Sequence, residues 1–435
     1  MKKIIIAACL LWVSALSFAQ SGTNSPYSQF GLGLLSDQST GFNRAMSGLG
    51  YGFHEHNQVN VKNPASYSAL DSLTFILDAA VGLQVTNFNE NGNKKNAKNA
   101  DIEYVVAAFR LARRLGLSFG VLPYSNIGYN YSNTANVNAF QSTQSVNATY
   151  TNVYNGDGGV HEVFLGMGWA PVRRLSFGFN AGYLWGDVNR SVVNGYSDSY
   201  VNTLSKYYKT RIKGYRLNFG AQYTQPIGKK DEVTLGVVYE PGHKTSSDPE
   251  CLIISSNSQT AVNDTATFSI KKGISLPDAF GAGLMWSHSG QLKLGFDYRL
   301  ENWGSISTPE LLMNNGTTAF QLVSGEMKDR SRYTFGGEYC HGERSMRFVN
   351  RVHYRVGFSY SPSYQRINGQ DGPKEMTASI GFGIPIMNNY NNRSMLNITG
   401  QWIQRSATNF IKENTFMVTI GLTFNERWFE KFKVQ

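Results

Sequence analysis

Beyond its first nineteen residues this chain of 435 residues has no run of eighteen apolar residues, so it offers no membrane-spanning helix. No proline-rich or low-complexity linker divides it, and a single domain is expected. Cysteine is scarce, at three residues. Cys9 lies in the leader, while Cys251 and Cys340 are expected at opposite ends of the fold, too far apart to bridge. Motifs for energy coupling and for RNA or DNA binding are missing too, which sets nucleic acid aside as a partner despite a net charge of +10.

What the chain has instead is hydrophobicity of period two. Leu292, Leu294, Phe296, Tyr298 and Leu300 interleave with Lys293, Gly295, Asp297 and Arg299, so one face of that strand is greasy and the other charged. Fourteen such segments are read near 73–85, 101–112, 115–125, 162–170, 174–186, 213–225, 232–241, 277–287, 290–300, 331–340, 351–361, 376–385, 394–404 and 414–424. Tight turns at Arg113-Arg114, Pro171–Arg173, Pro226–Asp231 and His288-Ser289 alternate with long polar stretches at 126–161, 188–212, 242–276 and 301–330. Short turns on one side, long loops on the other and an even strand count imply an all-β fold, a 14-stranded antiparallel transmembrane β-barrel with both chain ends in the periplasm. Trp169, Tyr183, Trp185, Tyr223, Tyr239, Trp286 and Trp402 cluster near strand ends, where an aromatic girdle would sit.

Residues 1–19 read as a secretory signal: Lys2 and Lys3, an apolar run, then Ser17 and Ala19. Residues 20–72 show no alternation but carry Phe30, Leu32, Phe42, Met46, Leu49 and Phe53 among many glycines, which suits a compact insert more than a disordered arm. A barrel of fourteen strands is too wide for its own side chains to fill, so 20–72 is expected to form a hatch in the lumen of a barrel spanning 73–424. Residues 425–435 are expected as a periplasmic tail whose Trp428, Phe429 and Phe432 fold back or meet a partner.

Within the insert, Arg44-Ala45, then Gly48, then Asn63-Pro64-Ala65 shortly before the first strand resembles the hatch of the long-chain fatty acid transporter family (FadL type). The resemblance implies an outer-membrane barrel that passes hydrophobic small molecules from an outward pocket to a sidewall gap. Members of the broader family also serve in secretion and assembly complexes, and that alternative stays open. Outer-membrane lipid, lipopolysaccharide phosphates and other envelope proteins are the further partners expected.

Arginine or lysine facing lipid would cost about 2–4 kcal/mol at the midplane, so the polar faces point inward. That places Asp78, Arg110, Arg216, Glu240, Lys293, Asp297, Arg299, Arg332, Glu338, His353 and Arg355 in the lumen. End-to-end pairing sets Lys293 against Glu338 and Arg299 against Arg332. The second pair suits either a ligand carboxylate or an ion-pair network anchoring hatch to wall. Gly116-Leu117-Ser118-Phe119-Gly120 mimics a serine-hydrolase motif but continues a strand, and a nucleophile elbow needs a strand-to-helix turn. His54-Glu55-His56 lacks the convergent ligands of a metal site. No catalytic residue, metal or cofactor is expected.

Overall fold

The computed structural model describes residues 22–136, 149–314, 317–343, 345–386 and 394–427. The leader and the aromatic tail Trp428, Phe429 and Phe432 lie outside the described residues. Seventeen strands share one sheet, and three of these (Leu34–Leu35, Glu250–Ser256, Asn263–Ser269) are attached to the wall without being part of it. The other fourteen form a closed antiparallel barrel with almost no helix. They are β1 Thr74–Glu90, β2 Asn93–Ala112, β3 Leu115–Asn136, β4 Thr149–Val172, β5 Leu175–Tyr196, β6 Thr203–Ile227 and β7 Asp231–Glu240. The second half comprises β8 Ala279–His288, β9 Leu292–Glu301, β10 Arg330–Tyr339, β11 His353–Ser361, β12 Lys374–Ile386, β13 Ser394–Ser406 and β14 Lys412–Arg427. Closure comes from β1 pairing with β14, Thr74 opposite Arg427.

The apolar face of each strand points outward. Leu165, Phe177, Phe296, Phe335, Val418 and Leu422 are exposed, while their inward neighbours Asp297, Thr334 and Thr419 are buried. A soluble sandwich would bury the first set. Trp169, Tyr223 and Tyr239 are exposed near strand ends, whereas Tyr183 and Trp185, also exposed, lie in the middle of β5 because that strand runs on to Tyr196.

Three expectations need correction. The stretches 126–161 and 188–212 are mostly strand, because β3 to β6 run on past the apolar band as a tall sheet; β6 alone is 25 residues, against the roughly 9–11 that cross a bilayer. Above the band neither face meets oil, so the hydrophobic alternation that marks a strand is lost. β1 and β2 likewise extend to a two-residue turn, Asn91-Gly92, whose positive φ angles of 49° and 89° suit a primed hairpin turn. Finally, Asn425–Arg427 belong to β14, paired with Thr74–Ile76, and not to a tail.

Pairing along the wall is interrupted at a seam between β2 and β3. β2 and β3 pair from Val105 opposite Val121 down to their turn, and above that β2 stays paired with β1 and β3 with β4 but not with each other. Pro123 brings no N–H to this edge, and the register shifts between Pro123 and Ser125 so that Tyr124 is extra. Leu34–Leu35 occupies the freed edge, opposite Asn126 and Ser125.

Leu165 is 57% exposed at mid-strand. Leu165→Arg is therefore expected to lower stability by about 2–4 kcal/mol in a denaturant titration in phospholipid vesicles, and the same change at Tyr200, beyond the lipid, by a few tenths at most.

Candidate functional site

The described residues that precede β1 are bonded to inward side chains of the wall. Ser39 to Phe53 is buried without interruption, a stretch too polar to have been read as core from hydropathy. A short helix, Gly41–Arg44, and 3-10 turns at Pro26–Gln29 and Pro64–Ala69 give the segment its regular structure besides the strand Leu34–Leu35. The motif residues each have a physical reason. Arg44 pairs with Glu103 at 2.7 Å, both buried. The methyl of Ala45 lies over Gly381, where a second Cβ would meet it at 2.5 Å. Gly48 adopts φ +87°, and a side chain there would strike the Asp37 carboxylate. Asn63 caps the 3-10 turn, its Oδ1 accepting from the Ala65 N–H at 3.1 Å while its Nδ2 donates to the Tyr51 carbonyl at 3.0 Å. Pro64 opens that turn, at the position where its missing N–H costs nothing.

Wall side chains satisfy the segment's backbone. Asp297 accepts from the N–H groups of Gly50 and Tyr51 at 2.7 and 3.0 Å. Gln222 donates to the carbonyls of Tyr51 and Phe53, Arg332 to that of Ser47, and the Gly41 N–H donates to the Tyr104 hydroxyl. Close approach is possible because inward glycines leave the wall bare. A Cβ at Gly178 would sit 2.4 Å from the Pro64 carbonyl carbon, and one at Gly357 2.2 Å from that of Met46. These glycines, spaced two apart from other inward residues, were the unread signal of the segment's imprint.

The inward charges form two chains. Across β4, β6, β7, β9 and β10 the order is Glu162, Arg216, Glu240, Arg299, Glu301, Arg330, each ion-paired to the next at 2.7–3.2 Å. Lower down, Lys293 bridges Glu55 of the segment at 2.5 Å and Glu338 at 3.3 Å, and Glu338 also holds Arg355 at 2.6 Å. The structure sets Lys293 opposite Glu338 and Arg299 opposite Arg332. The two guanidiniums are not left open, however: Arg299 meets Glu240 and Glu301, and Arg332 meets Asp37 at 3.5 Å. Burial pushes the Asp37 carboxyl up, but Lys62, Arg332 and Arg44 together hold it below the usual carboxylate range. Burial in turn pulls the Lys62 ammonium down against the pull of Asp37. Asp78, Glu240 and His353 are buried on the inward faces, while Arg110 sits half-exposed at the rim. Around the Asp37 cluster the unfilled space amounts to about 70 Å³ beside the upper chain and about 110 Å³ toward the seam.

Although Thr74 and Arg427 share one end of the barrel, Gly22 lies against Asp101 and Asn126 and its carbonyl accepts from Gln84, ten residues up β1. The described chain thus begins in the other half of the barrel, at the seam. His54 and His56 bond Gln222 and Asp71, with no metal cluster among the described residues, and Ser118 donates to the Ala107 carbonyl within the wall. Cys251 and Cys340 are both free.

Removing one partner of a buried ion pair leaves a charge uncompensated, so Arg44→Ala is expected to cost about 3–5 kcal/mol in denaturant unfolding, partly recovered by adding Glu103→Gln. Gly178→Val would force Pro64 off the wall. The barrel should still form, with the segment's bonds near Asn60 and Asn63 cut faster by limited proteolysis and a loss of about 1–3 kcal/mol.

No curated protein matches the chain. Its fold is similar to that of the Pseudomonas putida toluene transporter TodX, 13% identical, with a TM-score of 0.61 over 91% of this chain and 100% of that one. The Ralstonia pickettii toluene transporter TbuX is similar as well (14% identical, TM-score 0.59, 89% and 98% covered), and so is a Pseudomonas aeruginosa FadL homologue (13%, 0.57, 90% and 98%). These channels share the barrel expected from the FadL-type resemblance, and at such identity they speak for the fold alone. The model of the BamG family matches residues 1–435, and the chain belongs to that family.

Proposed function

We propose that the protein is an outer-membrane barrel, plugged by residues 20–72 as a hatch, that works as a non-transporting subunit of a secretion or assembly complex. The observation that carries this reading is the filled interior. Ion-pair chains and backbone bonds hold the hatch to the wall, and the spaces of about 70 and 110 Å³ around Asp37 are lined mostly by charged and polar side chains. A hydrophobic molecule entering there would have to displace buried, mutually satisfied charges. The outward sheet built by β3 to β6 with the hairpin Glu250–Ser256 and Asn263–Ser269 offers a large surface for other envelope proteins. Exposed Lys94, Lys95 and Lys98 on the β1–β2 hairpin suit lipopolysaccharide phosphates.

One observation favours a second reading, passive passage of hydrophobic small molecules: β2 and β3 part above Val105 and Val121, where only Leu34–Leu35 lies on the edge, and the structures of similar fold include toluene transporters. Reconstitution in liposomes separates the two. The subunit reading expects toluene and labelled long-chain fatty acid to enter no faster than into empty vesicles, and a stoichiometric complex with defined envelope proteins on mild detergent extraction. Protein-dependent flux from a barrel that purifies alone would replace it with the channel.

A further inference from the structure

Arg190, on the outward extension of β5, differs from the inward arginines paired above. One of its Nη groups donates to the Gly31 carbonyl, its Nε is shut from solvent without an acceptor, and no carboxylate lies within ion-pair distance among the described residues. A guanidinium is always charged, and its fork of donors is shaped for carboxylate or phosphate. Arg190 lines a cavity of about 650 Å³ at the outward end of the barrel, within the size range of small-molecule sites.

The walls of that cavity say what else the ligand carries. Tyr129, Tyr131, Tyr154 and Tyr208 line it, with Tyr131 and Tyr154 stacked at 4.9 Å. Glu90, Glu250 and Glu310 line it as well, the first two exposed to solvent and therefore screened from an anion at Arg190. Ring faces with electron-rich centres accept the C–H faces of a sugar ring, and carboxylates accept from its hydroxyls. Phe30, Val192, Leu311 and Phe320 line the rest of the wall and can cover an apolar substituent of the sugar, whereas a bare alkyl chain has no donor for the three carboxylates.

We propose that this cavity binds an anionic saccharide, with its carboxylate or phosphate on Arg190 and its ring faces against the tyrosines. The inference holds whether the barrel is a subunit or a channel. Its test is calorimetric titration of the full-length barrel in detergent with a uronate trisaccharide, a phosphorylated trisaccharide, a neutral trisaccharide of equal size, and laurate. At least one anionic sugar should bind ten-fold or more tighter than the neutral one, and Arg190→Gln should erase that difference; whichever anion binds identifies the charged group. Tyr131→Ala should weaken anionic and neutral sugars alike by several-fold, which decides the matter even where the arginine variant does not fold. Equal binding of all three sugars, no sugar binding, or Arg190-dependent binding of laurate alone would overturn the proposal.

Discussion

One constraint governs the molecule: an apolar medium claims one face of every strand. Alternation then obliges the other face to be polar or small, and fourteen strands enclose more space than those inward side chains can fill. The unmet donors and acceptors need partners away from bulk water. The leading segment supplies them as backbone. Asp297, Gln222 and Tyr104 each reach main-chain groups of a stretch that contains little regular structure and so has its N–H and C=O groups free for the wall. Segment and wall are thus one hydrogen-bonded interior, in which neither half is satisfied alone.

This explains why so many inward positions are charged. An isolated buried charge is expensive, and a chain of alternating signs shares the burden among neighbours. From Glu162 to Arg330 every charge has an opposite one on the next strand or two away, so the chain works as a belt around the wall. The partners are held to each other and, through Lys293, Asp37 and Arg44, to the segment.

The part of the fold that touches oil was legible in the sequence, because the medium writes its period into the residues. Every one of the fourteen strands could be placed, and alternation alone set Lys293 across from Glu338 and Arg299 across from Arg332. Legibility stops where oil stops. In the sheet above the band both faces are wet, so Thr, Asn and Tyr alternate with each other and the strands read as loops; only Asn91-Gly92 carried a local sign, through its turn geometry. The candidate site was half legible for a different reason. Charge reveals which residues point inward, but not their partners, since Asp37, Glu55 and Lys62 come from a segment with no periodicity to fix its register. Gly178 and Gly357 were visible as residues and silent as signals, because a glycine reports close approach only when the approaching chain is known.

The route of the leading segment bears on how such a molecule can be assembled. Ser25 bonds Glu413 across 388 residues of sequence, and Gly22 rests against Asp101 and Asn126 in the outward half, while β1 starts at the opposite end. The segment therefore runs most of the barrel's length before the first strand begins. Entry after closure would have to come through an open end of the cylinder, past inward charges that have only each other for partners. Placing the segment before β1 meets β14 avoids that cost, and the closing pair is the one with the greatest separation along the chain, the slowest kind of contact to form. The β2–β3 seam fits this order. Strand pairing there stops above Val105 and Val121, and Leu34–Leu35 lies on the edge that is left, so the wall is completed at that height by the segment itself.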